Sequence, residues 1–477
     1  MRPIVVACLG LAGACAHVPT IDFRCAAAGG PPWRTVRTEN VTLVTDVGPE
    51  DAAELARQVE RMRALVLSAL FRSPPRLPGR LAVVAFRTRN EFEEFAPSGA
   101  VAYYARFRDG AAFLVIPARL RWSESGPVLA HEIAHHVAAQ VFPTLPRWFA
   151  EGLAVFLEPV GQDFPDGTPR VGDVPASRGY DRAPVRTVLA AGGLFQQGEY
   201  ETSWALVHWM FNRRPREFAG LMQRFARGEE PLAAWRAVFP AYDPEDPERM
   251  AALDADLGAF LGARRGAAKE VKATASLAVA QETLSAAEVH ALRLRFRTSD
   301  GTAPSAGVRE ELAEGLREDP GQPDLLRLAV AVEKRDALAA GRAAVAAHPR
   351  DWRAYDLLGD ALPMGGERLR ARQEAAALAP DEAIALVSLA SDELAAGRTQ
   401  EALAPAERAA RLAPWHPVVQ VTLARVALQR GDCAGALLAA RRARTVATLE
   451  RGRDRVGAQV GAELAAIESR CAAPVTR

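Results

Sequence analysis

The sequence lacks an excess of charge of either sign. Lys and Arg number 59 and Asp and Glu number 58, so the formal net charge is only +1. Proteins that bind DNA or RNA through its phosphates need a basic surface, and this chain has no basic stripe interleaved with aromatic residues. The composition therefore predicts no nucleic-acid partner.

Long apolar runs are also scarce, and one stands at the N-terminus. Residues 1–3 supply one positive charge, and residues 4–14 are apolar but too few to span a bilayer. The run ends at Cys15 in a pattern that resembles a bacterial lipobox, although Ala12 stands where a larger aliphatic residue is usual. We therefore predict residues 1–15 to be a signal peptide with a lipobox-like end. Plain cleavage and an uncleaved apolar start are the alternatives.

This signal predicts an exported protein that is periplasmic or held at the outer membrane by a lipid on Cys15. Of the five cysteines, Cys8 would then leave with the signal and Cys15 would carry the lipid, so three would remain in an oxidising compartment. A disulfide between Cys433 and Cys471 is the expected pairing. The alternative is that these two and Cys25 are unpaired thiols.

A chain of 477 residues exceeds one ordinary domain. After a Gly- and Pro-containing linker at 16–32, alternating and helical spacings of apolar residues predict an α+β domain over 33–263. Its predicted strands are residues 35–45, 81–86 and 111–116, and its predicted helices are residues 49–71, 90–95, 200–211, 216–227, 231–238 and 250–261. Strand 111–116 is either a sheet edge on which an extended peptide could align or an interior strand. A linker with the first helices follows at 264–303.

The last part of the chain, residues 304–477, contains an internal repeat. Pro380 and Pro414 are 34 residues apart, and so are Gly397 and Gly431 and three further pairs of alanines. That period, with small residues at the helix contacts, resembles the tetratricopeptide repeat, a helix-turn-helix unit that stacks into a solenoid. The resemblance implies an all-α domain that binds a protein partner.

Histidine is rare, at 8 residues, yet two of them stand four apart in His131-Glu132-Ile133-Ala134-His135. Ser125 is a candidate N-cap and Pro127 an early helical position, so the motif is expected on a helix that runs to about residue 141. Residues four apart lie about 40° from each other around a helix, which suits two imidazoles on one metal ion. Glu132 lies roughly 100° from His131, as a general base beside that ion would. His136 is about 140° away and receives no ligand role.

A catalytic zinc needs a third protein ligand and an open position. Residues 142–146 form a short helix-breaking segment, and Pro146 can open a second helix. Counted from Thr144, His135 lies 9 residues before and Glu151 lies 7 residues after. Two antiparallel helices would bring His135 and Glu151 to the same height, so Glu151 is the predicted third ligand. Gly152 is expected to let these two helices approach closely.

These residues resemble the gluzincin, or peptidase-MA-like, zinc metallopeptidases. The resemblance rests on His131-Glu132-Ile133-Ala134-His135 and on Pro146-Arg147-Trp148-Phe149-Ala150-Glu151-Gly152-Leu153-Ala154. It implies a zincin-like fold over roughly residues 33 to 261 in which His131, His135 and Glu151 bind zinc and Glu132 activates water. Related enzymes supply a Tyr or His that stabilises the oxyanion. Tyr200 or His208 is the candidate here, with a role in core packing as the alternative for each. Glu158 is interpreted as a helix-end acid.

The sequence thus predicts an α+β zincin-like catalytic domain followed by an all-α tetratricopeptide-repeat solenoid. The predicted function is that of a zinc metallopeptidase that hydrolyses a peptide or protein substrate, with a protein partner bound by the repeats. One alternative is a non-enzymatic scaffold or assembly lipoprotein with a vestigial zinc domain. The intact Glu132 argues against it, because a site kept only for structure needs ligands and no base. Zinc-dependent hydrolysis of a non-peptide substrate is a third possibility.

Overall fold

The computed structural model describes residues 24–107, 110–118, 122–162, 167–172, 181–191, 195–263, 266, 268–298, 305–449 and 454–472. The chain is predominantly helical, with a small sheet near the N-terminus. The strands are β1 (Arg34–Arg37), β2 (Val41–Thr45), β3 (Leu81–Phe86), β4 (Tyr103–Arg106), β5 (Ala112–Pro117), β6 (Arg170–Val171), β7 (Lys269–Glu270) and β8 (Ala280–Thr283). The predicted signal and lipobox, residues 1–15, lie outside the described residues.

Six of the strands form one sheet in the order β4-β5-β3-β2-β1-β8. β2, β3 and β5 are parallel, whereas β1, β4 and β8 each pair antiparallel with a neighbour. The prediction of one strand over residues 35–45 is wrong, because the chain reverses between β1 and β2. Glu60, on the first helix, fixes this turn by accepting a 2.7 Å hydrogen bond from the side chain of Asn40.

The α-helices that accompany the sheet in the N-terminal part of the chain are α1 (Pro49–Leu70), α2 (Arg89–Phe95), α3 (Trp122–Val141), α4 (Arg147–Leu157), α5 (Val185–Ala190), α6 (Gln197–Arg213), α7 (Pro215–Ala226), α8 (Pro231–Val238), α9 (Pro247–Ala263) and α10 (Ala286–Arg297). Successive residues of β3 face opposite sides of the sheet. Val83 and Ala85 join the main core with α1, α3, α4 and α6. Val84 and Phe86 join a second core with α2 and α10.

The segment between the two predicted domains also belongs to the sheet. Residues 264–303, interpreted from sequence as a linker with first helices, contain β8, which pairs with β1 over four residues. Phe296 of α10 packs against the rings of Phe95, Phe107 and Phe113. Part of this segment therefore completes the N-terminal core.

The rest of the chain is a solenoid of helices, which confirms the predicted repeat architecture. These helices are α11 (Ala306–Glu318), α12 (Pro323–Glu333), α13 (Ala337–Ala347), α14 (Trp352–Ala361), α15 (Gly366–Leu378), α16 (Ala383–Ala395), α17 (Thr399–Leu412), α18 (Pro417–Gln429), α19 (Cys433–Leu449) and α20 (Asp454–Ala472). The starts of α16 and α18 differ by 34 residues, and so do those of α17 and α19. The predicted disulfide is present, since Cys433 and Cys471 are bonded with their Cα atoms 5.5 Å apart.

The solenoid contacts the N-terminal part of the chain beside β4 and β5. The guanidinium of Arg106, the last residue of β4, lies 5.3 Å from the ring centroid of Trp415. Gly110, between β4 and β5, is so close to Ile384 that an added Cβ atom would lie 2.8 Å from its side chain. Ala112 and Ala139 pack into an apolar cluster that includes Trp415. The repeats are therefore docked on the rest of the protein.

None of the described helices combines the length and the apolar character that a membrane span requires.

Candidate metal centre

The candidate site lies where α3 and α4 meet. Both helices contain the residues that the sequence predicted, but α3 begins at Trp122, so Ser125 is inside the helix and is not its N-cap. Pro146 is the N-cap of α4, and its carbonyl accepts hydrogen bonds from Phe149 and Ala150. The short connection folds α4 back beside α3, which brings Glu151 to the two histidines.

Three side-chain atoms form a compact triangle at this point. The Nε2 atoms of His131 and His135 are 3.1 Å apart. Oε2 of Glu151 is 3.7 Å from Nε2 of His131 and 3.5 Å from Nε2 of His135. Ligands about 2.0–2.1 Å from a tetrahedral zinc lie roughly 3.3 Å from each other, so the triangle has the size that such an ion requires. Among the described residues, this is the one group of three or more His, Cys, Asp or Glu side chains whose ligand atoms lie close enough together to hold a metal ion.

The electrostatics of Glu151 suit a ligand that stays ionised. Burial by itself would raise the pKa of Glu151, but the neighbouring His135 and His131 outweigh burial and hold this pKa well below its usual value. Oε2 of Glu151 is buried and has no hydrogen bond within normal distance. A buried carboxylate oxygen without a donor is costly, and a bound cation would remove that cost.

Glu132 is fully buried beside the three candidate ligands. Its Oε2 accepts a 2.8 Å hydrogen bond from the backbone N–H of Tyr104, in β4, while its Oε1 is buried without a partner. Burial raises the pKa of Glu132, and the proximity of His131 and His135 opposes part of this shift. One oxygen is thus fixed by the sheet, and the other can accept a proton.

Strand β4 was not predicted, and its position decides the role of β5. β4 is an edge of the sheet, and β5 is paired on both sides, by β4 and β3. The strand predicted at residues 111–116 is therefore an interior strand and not the edge. The strand beside Glu132 is β4, whose Tyr104 amide points away from β5 and towards α3.

His136 lies away from the triangle, as its position on the helix predicts. Its Nδ1 is 3.4 Å from the hydroxyl oxygen of Tyr104, and burial lowers its pKa to about 3. A neutral buried imidazole in this place packs α3 against β4.

Two charged side chains next to the triangle were missed as site residues. Oε1 of Glu158, at the end of α4, is 3.2 Å from Nδ1 of His131. Nη2 of Arg147 is 3.4 Å from Oε1 of Glu151. The available signal was their spacing: Glu158 is seven residues after Glu151 and Arg147 is four before, so all three share one face of the helix.

The two predicted oxyanion donors lie on α6, which packs along α4. The ring of His208 is 4.8 Å from that of Phe156 and 4.6 Å from that of Trp204, in the buried core. Tyr200 is half-buried, and its ring lies 5.6 Å from that of Phe195. These contacts agree with core packing for His208 and leave Tyr200 nearer the surface.

Gly152 allows a close helix contact, but with a different partner from the one predicted. A Cβ atom at Gly152 would lie 2.3 Å from the carbonyl oxygen of Ser203 on α6. The expectation that Gly152 serves the contact between α3 and α4 is therefore wrong. It lets α4 lie directly against the backbone of α6.

Comparisons with known proteins assign no activity. A family described as a protein of unknown function (DUF1570) matches residues 127–233, which include the triangle, Glu132, Tyr200 and His208. No curated protein matches the chain. Among solved structures, a thermophilic TPR protein of Thermus thermophilus is 19% identical, with 38% of this chain and 99% of that chain covered and a TM-score of 0.29. Yeast Tom70 is 12% identical, with 72% of this chain and 73% of that chain covered and a TM-score of 0.31.

Proposed function

We propose that this chain is a zinc-dependent hydrolase of peptide bonds, with the ion held by His131, His135 and Glu151. The observation that carries the proposal is the triangle of donor atoms, with sides of 3.1, 3.5 and 3.7 Å, beside the unpartnered Oε1 of Glu132. Two imidazoles and a carboxylate are a known ligand set for catalytic zinc. Three protein ligands leave a position open for water or substrate.

In this mechanism Glu132 is the general base. A bound zinc ion supplies Lewis acidity, which lowers the pKa of water towards neutrality and polarises a carbonyl group. Glu132 Oε1 accepts the proton of the attacking water, and the carboxyl group then donates it to the leaving amine. The Tyr104 amide holds the other oxygen, so the carboxylate keeps its orientation during both transfers. Burial raises the pKa of Glu132 above its ordinary value, which favours acceptance of a proton.

The edge strand β4 offers a way to hold the substrate. An extended peptide can add to an exposed sheet edge through main-chain hydrogen bonds. Because β4 is an edge and Tyr104 contacts Glu132, such a peptide would pass next to the base.

Tyr200 is the preferred oxyanion donor in this proposal, since the core contacts of His208 with Phe156 and Trp204 give that ring a packing role.

A second candidate function is that of a repeat scaffold without catalysis. It is favoured by the solenoid over α11–α20, an architecture whose stacked helix pairs present an extended surface to protein partners. The solenoid would bind a protein partner in either case. Export, with a lipid on Cys15 as the one membrane contact, belongs to both proposals. The unpartnered Glu132 oxygen distinguishes them, because a vestigial site has no use for a buried base.

The zinc content of the purified chain tests the proposal. Elemental analysis should find about one zinc per chain in the wild type, and much less in the Glu151→Ala variant. Glu132→Gln should keep the zinc and lose hydrolysis of a peptide mixture, because glutamine cannot accept the proton. Zinc in neither the wild type nor the variant would favour the scaffold. Full activity in Glu132→Gln would remove the assigned base.

A further inference from the structure

Arg147 stands at the first position of α4, one helical turn before Glu151. Its Nη2 lies 3.4 Å from Oε1 of Glu151. The side chain of Arg147 is 21% exposed and that of Glu151 is 4% exposed, so the contact lies at the margin of the core. Solvent therefore screens it less than an ion pair on the surface.

The guanidinium of Arg147 also contacts an aromatic ring, that of Phe195. The guanidinium carbon lies 5.2 Å from the ring centroid of Phe195, a buried residue that precedes α6. A planar guanidinium can stack on an aromatic face and donate hydrogen bonds in its own plane at the same time, whereas an ammonium group cannot. Phe195 thus limits the positions that Arg147 can adopt beside Glu151.

The two oxygens of Glu151 consequently face different groups. Oε2 faces both histidine Nε2 atoms, at 3.7 and 3.5 Å, and Oε1 faces Arg147. We propose that Arg147 is a positioning residue that retains Oε1 of Glu151, so that the carboxylate presents only Oε2 to the metal. Ligation through one oxygen keeps the coordination number low and a position open for the reacting water. This inference rests on the zinc site proposed above.

The positive charge of Arg147 lowers metal affinity, whereas its role in orienting Glu151 raises it. A guanidinium near a divalent cation repels it, so removal of the charge alone would tighten metal binding. Loss of the orientation of a ligand weakens metal affinity by roughly 10–100-fold in other metal sites. For Arg147, the loss of orientation outweighs the relief of repulsion. Arg147→Lys separates the two effects, because it keeps the charge and removes the planar donor pair.

The experiment measures zinc affinity of the full chain by competition with a chromophoric chelator, together with the visible absorption of the cobalt(II) form. Arg147→Ala should bind zinc roughly 10–100-fold more weakly. Its cobalt form should absorb more weakly, because Oε1 becomes free to bind and the coordination number rises. Arg147→Lys should bind zinc at least as weakly as Arg147→Ala, because it loses the planar donor pair and keeps the charge that repels the ion. Arg186→Ala, at an exposed position of α5, is the matched control and should equal the wild type.

The possible results separate this inference from the function on which it rests. Wild-type zinc affinity and an unchanged cobalt spectrum in Arg147→Ala would overturn the positioning role alone. Tighter zinc binding in Arg147→Ala would also overturn it, by showing that repulsion dominates. A wild type that binds neither zinc nor cobalt would overturn both proposals. Thermal melting by circular dichroism checks that each variant is folded, and Arg147→Lys, which keeps the bulk of the side chain, decides the question if Arg147→Ala does not fold.

Discussion

Oε1 of Glu158 lies 3.2 Å from Nδ1 of His131, so the two ring nitrogens of His131 face different partners. Nε2 faces His135 and Glu151, and Nδ1 faces Glu158. A carboxylate on the far nitrogen of a ligating histidine fixes its tautomer and raises its basicity. Glu158 therefore has the contact expected of a residue that orients His131.

Removal of this contact should weaken metal binding at the proposed zinc site. We expect Glu158→Ala to lower zinc affinity roughly 10–100-fold, because the imidazole of His131 loses the acceptor that orients it. Glu158→Gln keeps an acceptor oxygen without the charge and should lose less. Chelator competition measures both, with Glu374→Ala, an exposed position in α15, as the control. Equal affinities in all four proteins would show that Glu158 does not orient His131.

Gly152→Ala should destabilise the protein through the contact between α4 and α6. The new Cβ atom would lie 2.3 Å from the Ser203 carbonyl oxygen, and this backbone atom cannot rotate away as a side chain could. We expect a loss of about 1–3 kcal/mol in the free energy of unfolding, measured by urea denaturation. Zinc affinity should fall as well, because Glu151 immediately precedes Gly152 on α4. Gly262→Ala is the matched control in helix α9, because its Cβ atom meets nothing within 4 Å. It should be neutral or gain up to about 1 kcal/mol, and a loss there as large as that of Gly152→Ala would contradict the steric explanation.

Two truncations should differ in stability although both remove the solenoid. A chain that ends at residue 303 keeps β8 and α10, whereas one that ends at 275 loses both, including Phe296. Loss of a buried Phe side chain alone costs about 3–5 kcal/mol. We expect melting temperatures in the order full chain, 303-residue chain, 275-residue chain, and zinc binding in the first two. Phe296→Ala in the full chain provides the comparison by point substitution. Identical melting of the two truncated chains would mean that β8 and α10 add nothing to the N-terminal core.

Asp46, which follows β2, should give the stability a dependence on pH. The pKa of Asp46 is raised from 3.8 to about 6, first by burial and then by the nearby charge of Glu91, while the hydrogen bond from the Arg87 amide opposes part of this shift. A folded-state pKa above the unfolded value means that the folded protein binds the proton more tightly. The stability from this group is therefore complete below 3.8 and is lost as the pH rises through about 6.

Asp46→Asn removes this dependence with little change of shape. The free energy of unfolding of the wild type, minus that of the variant, should fall as the pH rises from about 4 to about 7 and then stay constant. Urea denaturation of both proteins at a series of pH values measures this difference. Asp51→Asn, at an exposed position in the first turn of α1, is the control. A difference that rises over this interval would show that the carboxyl of Asp46 is stabilised in its charged form.

The sequence by itself determined the features that depend on local spacing. The four-residue separation of His131 and His135 needs only a helix, and the short turn before Pro146 needs only two helices to bring Glu151 into reach. The period of 34 residues likewise reports one helix pair after another. In each case the residues that interact are close in the chain, or repeat regularly, so the periodicity of apolar residues contains the information.

The tertiary structure alone decided which distant groups complete the site. The Tyr104 amide reaches Glu132 across 28 residues, and Ser203 lies against Gly152 across more than fifty. The same holds for β8, which joins β1 from the far side of the N-terminal domain, and for Trp415, which lies beside Arg106. A strand of four residues such as β4 has too few positions for its alternation to be distinctive. Its place at the sheet edge follows from pairing with β5 and from the packing of α3, and these contacts form only when the whole chain folds.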